Sequence, residues 1–176
     1  MKKLILLSFG IFFISFVRSQ EWQTPLIEGY GEIKYFKDVE VQPDSSLQYN
    51  LLFDIKSDAS KSGVNKGLWV IARTLNLLHV AGVPKEQINI VASIHGQATF
   101  LTLNDKAYVK KYGKSNPNSN LIKQLKEQGV SLYVCSQATA AREIAVNDLD
   151  PHITPALSGL SVLATYQLNG YVLMPN

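Results

Sequence analysis

Apolar positions along this chain fall into two rhythms. Short, dense runs rich in β-formers occur at YNLLFDI (Tyr49–Ile55), INIVASIHG ending at His95 and Gly96, VSLYVC ending at Cys135, and YVLMP near the carboxyl end. Such runs read as strands buried on both faces. Between them, apolar residues recur every three or four positions. In KGLWVIARTLNLLHVAGV the stripe is Leu68, Ile71, Leu75 and Leu78, with Asn65 placed as the cap and Gly82 as the stop. SNPNSN reads as a turn before the helix NLIKQLKEQG. A further helix is expected over TAAREIAVN, and a last one over PALSGLSVLATYQLNG, with Pro155 early and Gly170 at its end. QATFLTLNDKAYVKKYG is helical or irregular, and residues 58–64 are a polar loop. Strands alternating with helices at this spacing predict an α/β fold: a three-layer α/β/α sandwich around a mostly parallel sheet.

The first residues follow another logic. Lys2 and Lys3 precede an apolar core from Leu4 to about Val17, and small Ser19 follows Arg18. That order is expected of a secretory signal peptide over residues 1–19, and the apolar run is short for a membrane span. The expectation is an exported protein, periplasmic or secreted, with no stable membrane span once the leader is cleaved near Ser19 and Gln20. Residues 20–46 read as an amino-terminal arm with GYGEIKYF and VEVQP as short extended pieces, and residues 47–176 as one domain. Without Lys2, Lys3 and Arg18 the 17 basic residues become 14, equal to the 14 acidic ones. The charge then gives no reason to expect a nucleic-acid partner.

Candidate chemistry collects where strands end. Cys135, the only cysteine, closes one strand run just before a helical stretch. Ligands and reactive groups of open parallel sheets gather at such carboxyl edges, and a thiol there tends toward the reactive thiolate. One cysteine makes no internal disulfide, so it is a reactive thiol, a link between chains or a buried filler. His95 closes another strand and Asn65 stands at the first helix start, both at the same predicted edge. A Cys and a nearby His can form an activated pair, while His95 also suits a structural hydrogen bond or a pocket wall. Arg142, seven residues after Cys135, reads as a surface or interface ion pair, with Glu143 one partner. One Cys and three scattered His offer no metal site. GxGxxG, Walker and GxSxG motifs are all missing, and no cofactor is implied.

The succession VNKGLWVIARTLNLLHVAGV, INIVASIHG, NPNSNLIKQLKEQGVSLYVCSQ and ALSGLSVLATYQLNGYVLM resembles the DsrE/DsrF-like family, especially its exported branch, over about Tyr49 to Met174. The resemblance implies the three-layer sandwich, assembly into homotrimers or homohexamers, and, by likeness to TusD-type sulfur relay proteins, a persulfide carried on Cys135. It places Ser136 and Gln137 in the turn, where exported members commonly read Cys-Gly-Gln-Ser. On this reading Cys135 and His95 are the catalytic pair, with His95 orienting or protonating. Asn65, Ser136 and Gln137 bind the ligand, and a sulfur donor or acceptor protein or small sulfur species is the partner. Leu160, Leu163, Tyr166, Tyr171 and Leu173 in the last helix and strand supply apolar surface for core or assembly. Two other readings stand beside it: a binding module without turnover using the same strand-edge pocket, and a structural oligomer in which Cys135 is buried at a subunit contact.

Overall fold

A computed structural model describes residues 21–175; the expected leader, residues 1–19, lies outside them. Five strands form one parallel sheet: β1 (Tyr49–Ile55), β4 (Ile88–Ile94), β5 (Ser131–Cys135), β6 (Thr154–Ala156) and β7 (Val172–Met174), in the spatial order β6-β5-β4-β1-β7. Two-residue strands β2 (Ser60–Lys61) and β3 (Val64–Asn65) make a separate hairpin inside the expected polar loop. Ser62 and Gly63, both at positive φ, form its turn, the backbone such a tight hairpin requires.

Helices cover the sheet from both sides, as the alternation predicts. Period-two alternation decides which side chain goes where. Leu51, Phe53 and Ile55 of β1, Ile90, Ala92 and Ile94 of β4, and Leu132 and Val134 of β5 enter the larger core, with α1 (Lys66–Val80) and α3 (Ser119–Glu127), while α2 (Asp105–Tyr112) buries none of its residues. Leu52, Val91 and Tyr133 point to the other face, where α5 (Gly159–Leu168) packs through Val162, Leu163 and Tyr166. That second layer is thin. Tyr166 donates a hydrogen bond to the Tyr133 hydroxyl at 3.0 Å. First burial, then this bond, hold the Tyr166 hydroxyl protonated up to about 12.

Three elements depart from the sequence expectation. After β5 the helix α4 (Ser136–Ala140) starts at once and lasts only five residues. Glu143 then turns with φ +53° and residues 146–148 form a 3-10 turn, in place of the helix expected over residues 139–147. Buried Leu149 must bridge back to Leu103, and that tertiary demand outweighs the weak helical propensity of Ile144, Val146 and Asn147. Pro155 lies in β6 instead of the last helix. β6 is the sheet's edge, where a missing N–H costs nothing, and the helix begins four residues later behind the Ser158 cap. Arg142 donates to the Ala138 carbonyl at 3.1 Å and lies over the Phe100 ring, turning away from the expected partner Glu143.

The arm packs tightly without extended pairing beyond one bridge, Gln23 with Ile33. The expected piece VEVQP forms no strand; its Gln42 side chain donates to the Phe36 and Lys37 carbonyls, and Val41 is exposed. Asn76, wholly buried on α1, holds the arm: Oδ1 accepts from the Leu26 and Ile27 N–H groups, and Nδ2 donates to the Tyr30 and Gly31 carbonyls. A Cβ on Gly31 would fall 2.2 Å from the Arg73 backbone nitrogen, so only glycine lets the arm lie this close. Asn76→Ala would leave these groups without partners, each costing about 1–3 kcal/mol if it stays buried. The expected loss is roughly 2–4 kcal/mol, limited by release of the arm to water. Urea unfolding measures the loss, and limited proteolysis should now cut within residues 21–46.

Candidate functional site

Counting by twos along three adjacent strands explains the site. From Leu52, β1 presents Asp54 to the α5 face; from Val91, β4 presents Ser93 and then His95; from Tyr133, β5 presents Cys135. All lie at the carboxyl edge of the sheet. The β4–β5 ladder pairs Ser93 with Tyr133 and Ile94 with Val134. Continued by one residue, it sets His95 beside Cys135 on neighbouring strands about 4.8 Å apart.

Two helix starts converge on the sulfur. Cys135 caps α4 from its N-terminal side and is 7% exposed. Backbone N–H groups of Gln137 and Ala138 in α4 and of Gly159, the first residue of α5, together with the Ser158 hydroxyl, favour the charged form of the sulfur. These N–H groups have no partner within their own helices. Burial pushes the thiol up, but the four donors more than offset it, and Cys135 ionises below the ordinary thiol range. Ser158 serves two masters: its hydroxyl also accepts from Leu160 N–H as the α5 cap.

Gly159 makes the convergence possible. Its carbonyl accepts from Ser93 Oγ at 3.2 Å. A Cβ here would sit 3.0 Å from His95 Cδ2, 3.2 Å from His95 Cγ and 3.2 Å from Ser93 Oγ. The helix start is pressed against the sheet edge because nothing projects from it. His95 packs on this residue, and its Nε2 lies 2.6 Å from Asp54 Oδ1.

The remaining sequence candidates divide. Ser136 and Gln137 follow the thiol directly, and Gln137 Nε2 donates to the Leu157 carbonyl at 3.2 Å, tying α4 to the segment before α5. Asn65 is placed elsewhere. Its Oδ1 caps α1 by accepting from Gly67 N–H, and its Nδ2 donates to the Ser57 carbonyl. It lines a separate cleft of about 440 Å³ with Asn118, Tyr108, Tyr112 and Lys114, among others, and Cys135 is not part of that lining. Sequence reasoning missed Asp54, Ser158 and Gly159. Asp54 could have been found by the two-residue count from Leu52, whereas the other two depend on where α5 begins. No group of three or more His, Cys, Asp or Glu able to hold a metal occurs among the described residues.

Because the folded thiol is shifted down, Cys135 adds stability above the pKa of the unfolded thiol, which is lost as pH falls through the folded value. For reactivity, the midpoint of alkylation against pH should lie below about 8.5, the ordinary thiol value. Ser158→Ala, which removes one donor, should move it upward; an equal midpoint in the folded protein and in free cysteine would refute the donor account.

Comparison with known proteins agrees with this architecture. A solved structure of a protein of unknown function, MTH1491 from Methanobacterium thermoautotrophicum, shares the fold at a TM-score of 0.56 and 21% sequence identity, covering 72% of this chain and 97% of that one. No curated protein matches. The model of the DsrE/DsrF-like family matches residues 51–175, which hold every strand of the parallel sheet except the first two residues of β1. With the family model covering well over half its length, the chain belongs to the DsrE/DsrF-like family.

Proposed function

We propose that this protein is an exported carrier of sulfane sulfur that holds its cargo as a persulfide on Cys135. The observation that carries the reading is the placement of the one cysteine at the sheet's carboxyl edge between the starts of α4 and α5, whose N–H groups and Ser158 hydroxyl hold the thiol below its ordinary range. Donors arranged in advance around an anion favour the thiolate and stabilise the charge on Sγ whenever it leaves as a thiolate. Family membership supports sulfur relay as the class of role. Export draws its support from the order of charged, apolar and small residues at the amino end.

The chemistry balances without an oxidant. The Cys135 thiolate attacks the outer sulfur of a small persulfide, R–S–SH; a new bond forms to Sγ, the old S–S bond breaks, and R–S⁻ leaves with the electron pair. Cys135–S–SH remains. An acceptor thiolate reverses the sequence, taking the outer sulfur and returning Sγ to the thiolate.

Self-association belongs to the same reading. Leu157, Leu160, Ala164 and Leu168 lie exposed at spacings of three, four and four, and no Asp, Glu, Lys or Arg follows Asp150. Leu160 is 76% and Leu168 88% exposed on a helix apolar nearly all round. Such a helix is built to be covered, and an uncharged apolar stripe repels no second copy of itself. Homotrimers or homohexamers of the family type would cover it. The second reading, a binding module without turnover, placed its ligand in the strand-edge pocket; the separate cleft lined by Asn65 and Tyr108 offers such a module a different place, with ligand affinity there indifferent to Cys135→Ala.

Incubating the protein with polysulfide and weighing it should show the gain of one sulfur on Cys135, and none in Cys135→Ser. A wild-type protein that never gains sulfur overturns the carrier reading. Light scattering should find an oligomer for the wild type and a monomer for the double variant Leu160→Asp, Leu168→Asp.

A further inference from the structure

We infer that Asp54 and His95 form a proton-handling dyad serving the sulfur on Cys135, with Asp54 as its positioning residue; the inference rests on the carrier reading above. Three adjacent strands place the groups in line. Asp54 pairs in register with Ser93, two residues before His95, and His95 follows the Ile94–Val134 pair that precedes Cys135. The three side chains share the α5 face; the imidazole Nε2 meets the Asp54 carboxylate, and the Cδ2 and Cγ atoms of the ring pack on Gly159 at the start of α5. The β4–β5 register, continued by one residue, sets His95 beside Cys135.

Asp54 decides which ring atom is free. A carboxylate oxygen can only accept, so at 2.6 Å the proton of this bond sits on His95 Nε2, and Nδ1 is the atom left to exchange a proton. A carboxylate holding one imidazole nitrogen while the other does acid–base work is the arrangement that orients bases for nucleophilic sulfur and oxygen. Among the described residues, the charged or titratable groups on the elements packed here are Asp54 of β1 and Lys56 just beyond it, Tyr133 and Cys135 of β5, and Tyr166 of α5 with Tyr171 after it. Residues 96–102 bring no charged side chain, nor does α5.

The step this dyad serves is unloading. An acceptor thiol, R–SH, gives its proton to Nδ1, and the resulting thiolate attacks the outer sulfur of Cys135–S–SH. The bond to Sγ breaks with its electron pair staying on Sγ, R–S–SH departs, and the imidazolium releases its proton to water. Overall charge is unchanged and nothing is oxidised or reduced. The donor ring around Sγ receives the charge at the moment the dyad has removed a proton from the other partner.

The test uses the full-length protein, loaded with polysulfide and unloaded to a small thiol such as cysteamine, with the rate followed against pH. The wild type should show a pH limb that requires the dyad. In Asp54→Asn and His95→Gln that limb should vanish and the rate should fall by ~10²-fold, the lower end of general acid–base contributions. Asp54→Glu, which keeps the carboxylate, should restore part of it. Nitrogen-15 spectra of the imidazole read the tautomer directly: Nε2–H in the wild type, a mixture in Asp54→Asn. Unaltered rate profiles in both variants, or a wild-type ring protonated on Nδ1 alone, would overturn the dyad while leaving loading of Cys135 intact. Failure of the wild type to load at all strikes the carrier reading instead. Should Asp54→Asn melt early, His95→Gln and the wild-type spectrum decide the matter alone.

Discussion

The contact at Gly159, where the start of α5 meets the edge of the sheet, is the constraint on which the rest of the site depends. Residue 159 bears on all the principal parts: its N–H favours the Cys135 thiolate, its carbonyl receives the Ser93 hydroxyl, and the His95 ring lies against the place its side chain would take. A methyl group there would need His95 and Ser93 to give by several tenths of an ångström, or α5 to withdraw. Withdrawal would remove the Gly159 donor from the sulfur and relax the face on which the imidazole is held against Asp54. Burial raises this thiol, and three of the four groups that lower it again are backbone N–H groups.

The same contact explains the asymmetry of the sandwich. One face of the sheet is sealed by α1 and α3 around a large apolar core, with the arm pinned outside them by Asn76. The other carries one short helix over Leu52, Val91 and a cluster of three tyrosines. A thicker layer there would have needed larger residues at the helix start and would have lifted the donors from the edge. The thin layer leaves the apolar stripe of α5 exposed on the side of the sheet that also carries the thiol.

Much of this was legible in the sequence because strand period and strand ends are local properties. The dense runs at residues 49–55, 88–94 and 131–135 gave a parallel sheet, and Cys135 and His95 fell at its edge by position alone. Asn65 was legible as a helix cap but not as a member of a different cleft, because the lateral separation of helix starts depends on strand order. Asp54 was hidden in an apolar run, its role visible only once β1 and β4 were known to be neighbours. The short α4 and the strand at Pro155 were missed for one reason: both follow from Leu149 and β6 needing to reach distant partners, which propensity over a few residues does not record.

β1, the second strand from one edge of the sheet, is paired on that side by β7, the last strand among the described residues. A ladder that sets Leu51 beside Val172 closes only after the segment between them has found its place. Until β7 docks, β1 presents a bare apolar edge, and a variant lacking residues 172–174 would keep that edge open to pairing with another strand.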